Sequence, residues 1–382
     1  MIEIFYNPAT QYVNTGDLLI NKTLVEFLRV NGTLYVDDNN KPKWFIDELL
    51  RKEDVRLSNF TRSDSIDYLL KLLIRNKLNG HNKNSKYYLV FVPGHLAKSG
   101  FRGALSSTKI LAKFVLLRLL GCRLIRVGIS LGSFDRLNAF VEALITRCYT
   151  YFAVRDQESI ENAKKYNFKI PAYFPDFGWG YKHDHLSISK ENYPPVGRDF
   201  VVMSFRANEL GHGIQAEVYE QLRISIKQLL SSEVLSGYDI IFSYQVASDR
   251  EANLELSKDL ASDFNNVSFF DTKLLLGNAF DLYSRANFLI TNRLHVMLLA
   301  VQANTIAFSL IDQRANSKIY NILKDNDLLE LALPVKDHSN VNIDRINKVL
   351  ASRDAMSNRL KTAIEFNTRV ISDKISSIFK VL

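Results

Sequence analysis

Ile290-Thr-Asn-Arg-Leu-His-Val-Met-Leu-Leu-Ala-Val-Gln-Ala-Asn-Thr-Ile-Ala-Phe-Ser-Leu310 reads as a strand end, a polar turn, an apolar helix and a second buried strand. Leu294, Met297, Leu298 and Val301 recur at helical spacing, and residues 305–310 form a short β-rich run. Thr291 or Asn292 is placed to cap the helix, which puts Arg293 and His295 in its first turn. Free backbone N–H groups and the positive end of the helix dipole suit that position to an anion. A guanidinium beside a titratable imidazole there points to phosphate binding coupled to proton transfer.

The same alternation extends outward along the chain. Apolar runs at 2–6, 87–92, 124–128, 151–154, 200–204, 240–244, 267–270, 287–290 and 305–310 predict strands. Amphipathic patterns at 17–30, 63–78, 107–120, 137–147, 158–166, 215–231 and 251–263 predict helices between them. This is the signature of α/β folds with parallel sheets covered on both faces, which bind ligands at the carboxyl ends of their strands. Residues 178–198 lack periodicity and contain a Pro pair, so the expected division is an N-terminal domain at 1–180, a linker at 181–198, a C-terminal domain at 199–345 and a helical segment at 346–382. That last segment is expected to fold back onto the first domain.

The 382 residues suffice for two cores, and 47% hydrophobic with 24% charged residues is ordinary for a globular chain. A net charge of +8 favours anionic partners, but no Lys/Arg cluster is dense enough to select nucleic acid. Cys122 and Cys148 lie in apolar surroundings and read as buried free thiols of a reducing compartment. The N-terminus lacks the pattern of a secretion signal, and Lys113, Arg118 and Arg123 interrupt the most apolar stretch. A cytoplasmic protein is expected, with peripheral contact to the inner face of the plasma membrane compatible with the charge. Residues 108–120 form a basic amphipathic helix, explained equally well by packing on a sheet and by a membrane surface. His183 and His185 have metal-like spacing, but no neighbouring Cys or carboxylate cluster completes a site. No metal or cofactor is expected.

Several further segments occur in a fixed order: Asn14-Thr-Gly-Asp17, Val92-Pro-Gly-His95, Val154-Arg-Asp-Gln-Glu-Ser159, Pro175-Asp176, Arg293-Leu-His295 and Lys318. The series resembles the polysaccharide pyruvyl transferase family over about residues 4 to 322. One departure is Gly128-Ile-Ser-Leu-Gly132, where Ser130 stands at a position the family tends to fill with glycine. The resemblance implies two Rossmann-like domains facing across a cleft, as in GT-B glycosyltransferases. It also implies transfer of a pyruvyl group from phosphoenolpyruvate to two hydroxyls of a sugar, giving a ketal. The acceptor would be a surface polysaccharide or its lipid-linked precursor.

Phosphoenolpyruvate carries a phosphate and a carboxylate, so its site needs at least two cations, arginine being preferred for bidentate contact. Arg293 and Arg206 are the first choices, with Lys318 as a third, and the resemblance also puts the two arginines at the donor. His295 is the candidate proton carrier. Asn14, Gly16, Asp17, Gly94, His95, Asp156 and Asp176 are candidates on the acceptor side or in support of it. For Arg155-Asp156 an ion pair locking the strand-to-helix turn is the favoured alternative. The rival functions are a GT-B glycosyltransferase using a nucleotide sugar, for which Asp312 is the nearest ribose-binding carboxylate, and a non-catalytic sugar-binding or assembly protein.

Overall fold

The computed structural model describes residues 1–79, 85–183, 198–207, 215–335 and 339–381. The chain forms two compact units: Met1–Tyr12, Ile20–Phe177 and Asn367–Leu382 in the first, and Val13–Leu19 with Gly178–Phe366 in the second. His185 and most of the expected linker lie outside the described residues. His183 stacks on Phe280 with ring centroids 4.2 Å apart.

In the first unit the strands are β1 (Ile2–Asn7), β2 (Thr33–Val36), β3 (Val55–Arg56), β4 (Lys86–Phe91), β5 (Gly94–Lys98), β6 (Arg123–Phe134), β7 (Tyr151–Val154) and β8 (Ala172–Tyr173). Their order is β3-β2-β1-β4-β6-β7-β8, all pairs parallel. The stretch 92–95 is expected to end a strand and open a loop. Instead, β5 resumes pairing on the same long partner: β4 meets the first part of β6 and β5 its last part. The chain kinks between them at Pro93 and Gly94, whose φ of +137° is open to glycine alone.

The second unit contains β9 (Phe200–Ser204), β10 (Asp239–Tyr244), β11 (Val267–Lys273), β12 (Phe288–Thr291), β13 (Ala307–Ile311) and β14 (Ala332–Pro334), again all parallel. Their order, β11-β10-β9-β12-β13-β14, is the 3-2-1-4-5-6 arrangement of a Rossmann fold. In that arrangement the winding direction reverses between the first and fourth strands, and a crevice opens at their carboxyl ends. Here those strands are β9 and β12, with Ile290 paired to Met203 and Thr291 to Ser204. Every residue of both is buried, as expected for central parallel strands with helices on both faces.

One assignment made from sequence changes. The segment at 14–19 was expected in the N-terminal domain, but it belongs with the second unit. Asn14 forms an antiparallel bridge to Val246, and the Thr15 hydroxyl contacts the carbonyls of Gln245 and Leu274 at 3.0 and 2.7 Å. The final segment comprises two helices, Ser339–Ala351 and Arg353–Val381. Its last part does return to the first unit, where the Phe379 ring meets Tyr88 edge-on and Lys374 donates to the Tyr173 carbonyl.

Candidate active site

Because every strand of the second sheet runs the same way, the residues following β9, β10, β12 and β13 emerge at one edge. Arg206 follows β9, Asp249 follows β10, Asn292 and Arg293 follow β12, and Asp312 follows β13. Two asparagines fix the exit of β9. Asn253 accepts from the Phe205 N–H and donates to its carbonyl, at 2.9 and 2.8 Å. Asn292 does the same for Arg206, at 2.7 and 2.8 Å. The amide of Asn292 thus ties together the two strand ends that flank the reversal point.

Arg293 does not enter the first turn of the helix, as its spacing suggested. It is the capping residue, with extended backbone, and the helix proper is Leu294–Gln302. Thr291 is the reason: its hydroxyl donates to the Ser204 carbonyl and accepts the Arg293 N–H at 3.0 Å, which holds the turn open for one more residue. The Arg293 guanidinium pairs with the buried carboxylate of Asp249. Burial pushes this carboxyl above the usual carboxylate range, against the opposing charges of Arg293 and Arg206. Both arginines therefore act on one acid. The Arg293 Nε is itself buried and makes no hydrogen bond among the described residues. Unsatisfied buried donors are few in folded proteins, and each costs about 1–3 kcal/mol.

His295 lies in the helix's first turn and is half-buried. The Gly16 backbone presses against it: a Cβ there would sit 2.8 Å from both the Cβ of His295 and the Cγ of its ring. Asn14 shapes this approach. Its side-chain oxygen accepts the Gly16 N–H at 2.9 Å, its amide donates to Asp17 at 3.2 Å, and its carbonyl accepts from Asp17 and Leu18. The amino end of helix Thr15–Arg29 thus arrives at the amino end of helix Leu294–Gln302, with His295 at the meeting point.

A cavity of about 890 Å³ opens at the same strand edge. Its lining includes Arg206, Asn292, Asp312 and Asn316 but not Arg293, His295 or Lys318. Lys318 is half-buried in helix Ser317–Asp325, just beyond the lining turn. Asp312 is a turn carboxylate, accepting the N–H groups of Arg314 and Ala315 at 2.9 and 3.0 Å.

The model of one family, described as polysaccharide pyruvyl transferase, matches residues 14–311, which span the Asn14 turn through β13. The chain belongs to the polysaccharide pyruvyl transferase family. No curated protein matches significantly. Among solved structures, a glycosyltransferase from Rickettsia africae superposes with a TM-score of 0.62 at 10% identity, covering 100% of this chain and 98% of that one. A UDP-GlcNAc 2-epimerase from Neisseria meningitidis, bound to UDP-GlcNAc, gives 0.54 at 9% identity, covering 98% of each. At such identities the likeness is one of fold: two Rossmann-like domains of the GT-B kind.

The remaining candidates fall in the first unit. Gly94 and His95 follow β4, which pairs with β1 at that sheet's own reversal point. His95 is exposed, and its Nε2 lies 2.6 Å from where a Cβ on Gly132 would stand. Asp156 and Asp176 are buried in a network. Asp156 caps helix Gln157–Lys165 by accepting the Ser159 N–H and hydroxyl at 2.7 and 2.6 Å, and it accepts from Ser130 at 2.5 Å. Arg155 donates to Ser130 Oγ at 2.8 Å and pairs with Asp176 at 2.6 Å. The expected Arg155–Asp156 pair is thus replaced by two crossed partnerships. Ser130, at the family's glycine position, is the hydroxyl that joins them.

Proposed function

We propose that this transferase moves the pyruvyl group of phosphoenolpyruvate onto two hydroxyls of a saccharide acceptor. Arg206 and Arg293 would hold the phosphate and carboxylate, with Lys318 adding charge, and His295 would carry the proton. In balance, one hydroxyl proton replaces the proton delivered to the enol carbon C3 as it becomes a methyl group. Both sugar oxygens bond to C2, and phosphate leaves with the second proton. General acid–base help of this kind is worth about a hundred- to ten-thousand-fold in rate. No cofactor is required, and the acceptor is read as a surface polysaccharide or its lipid-linked precursor.

The observation that carries this reading is the gathering of two arginines and one histidine at the reversal point of β9 and β12, beside two helix amino ends. It is also why an assembly protein without chemistry fits less well. The cavity beside Arg206 is roomy enough to keep a nucleotide-sugar reading in view. Asp312, the carboxylate such a donor's ribose would need, lines that cavity and gives its Oδ1 to the N–H groups of its own turn.

Thermal melts with phosphoenolpyruvate and with a panel of nucleotide sugars separate the two. A ligand at a hundredfold over its Kd stabilises by about 2.7 kcal/mol, readily seen as a higher Tm. A shift with nucleotide sugars alone overturns the proposal. With turnover followed by phosphate release, Arg293→Ala should mainly raise the KM for phosphoenolpyruvate, and His295→Ala should mainly lower kcat by about a hundredfold or more.

A further inference from the structure

Helices Phe101–Leu119 and Arg136–Cys148 lie side by side on the first unit. Their amino ends are locked together: Asp135 accepts the Gly100 N–H at 2.6 Å, and Asn138 donates to the Gly100 carbonyl at 3.0 Å. The first helix buries Ala104, Phe114 and Leu117 against the sheet, as an ordinary packed helix would. Its opposite face is also apolar. Phe101, Leu105, Ala112, Val115, Leu116 and Leu119 share one exposed arc at spacings of three, four and seven residues, with Phe101 73% and Leu119 74% exposed. The neighbouring helix adds a second exposed stripe of Leu137, Phe140 and Leu144, with Phe140 65% exposed.

A soluble surface rarely leaves such a patch to water without a partner. The charges carried by the two helices are mostly positive; the acids beside them are Asp135, which caps the second helix, and Asp67, which pairs with Lys113 at 2.5 Å. The first helix contains Arg102, Lys109, Lys113 and Arg118 and no acidic residue. The second contains Arg136 and Arg147, and its one acid, Glu142, is buried against Lys98. Arg102 and Lys109 project along one border of the apolar arc. Neither they nor Arg136 form an ion pair among the described residues.

We propose that this two-helix face docks on an anionic lipid bilayer, the phenylalanines and leucines entering the headgroup boundary and the cations meeting lipid phosphates. Among the described residues no helix is long and apolar enough to cross a membrane, so the contact lies in the plane of the surface. Charge chooses the lipid over a second copy of the chain: a twofold contact sets each patch against itself and would juxtapose the cationic borders. The inference stands whatever the donor of the pyruvyl reaction proves to be.

The full chain is tested by co-sedimentation with vesicles of phosphatidylcholine alone or with roughly one third phosphatidylglycerol. Binding is expected to the anionic vesicles and not to the neutral ones. It should weaken about tenfold or more in the F101S/F140S pair and in the R102E/K109E pair, with unchanged thermal melts showing that both remain folded. Wild-type protein that ignores anionic vesicles, or a phenylalanine pair that binds as wild type, overturns the proposal. So does a wild-type dimer that the phenylalanine variant dissolves, which would mean that a second copy covers the face.

Discussion

At Gly16 the backbone comes so near the His295 ring that a methyl group there would overlap the imidazole. The residue begins a regular helix, so the demand for glycine is steric and not a matter of backbone torsion. Gly16→Ala must therefore shift the ring or lift the helix start off Val246 and Gln245. A displacement of about 1 Å near reacting atoms can cost roughly a hundredfold in rate. We expect kcat of this variant to fall by about that factor, with a small change in the KM for phosphoenolpyruvate and a Tm a few degrees lower. Wild-type kcat in the alanine variant would remove His295 from the proton-transfer role. The Asn-x-Gly-Asp turn was legible as a place where backbone approaches something closely. What it approaches was not, because 230 residues separate Thr15 from Gln245. Asp249 is hidden for a related reason: it sits five residues beyond the end of β10, and only the strand-end rule, not any local pattern, points to it.

Among elements, the turn from β7 into helix Gln157–Lys165 separates two roles for Asp156. As a structural group it satisfies a cap and the Ser130 hydroxyl. As an acceptor-side group it would touch the sugar. Asp156→Ala strands buried donors and should cost about 2–4 kcal/mol in urea unfolding, whereas Asp156→Asn keeps an acceptor for the Ser159 N–H and should cost less. On the structural role the KM for the saccharide is unchanged in whichever variant stays folded; a raised KM at unchanged stability would return Asp156 to the acceptor side. The sequence showed this element well, since residues 151–154 and the following helix carry strong local patterns. Its weak points were the short strands β2, β3, β8 and β14, which lie toward the margins of their sheets. The two or three residues of β3, β8 and β14 are too few side chains for a period to register. The strand β5 escaped notice because a proline–glycine pair usually ends pairing, and here only bends it.

Across the whole molecule, strand–helix alternation revealed the fold class because the central strands are mostly buried apolar runs, fully buried in β9 and β12 and broken by a few polar residues in β1, β4 and β6. Sheet order and the allocation of 13–19 to the second unit were not legible, since both depend on partners distant in sequence. Each unit also buries an ionisable group that favours its neutral form. Burial pushes the Cys122 thiol from 9 up to about 12 and raises the Tyr149 hydroxyl in the first unit; it raises the Tyr283 hydroxyl in the second. In the unfolded chain these groups ionise at their ordinary values. Groups whose values are raised on folding contribute stability in full below the unfolded value, and that contribution is lost as pH rises toward the folded one. Urea midpoints are therefore expected to hold level from neutral pH to about 9 and to fall between about 9 and 12. The loss approaches about 1.4 kcal/mol for each unit separating the folded and unfolded values of a group. Thiol-reactive probes give an independent check at the same positions. Cys122 is buried and should stay unmodified in the native protein at pH values below its raised range, whereas Cys148 is half-exposed and should react first. A midpoint that stays level through the alkaline range, with Cys122 labelled as fast as Cys148, would mean that the first unit's core is open to solvent.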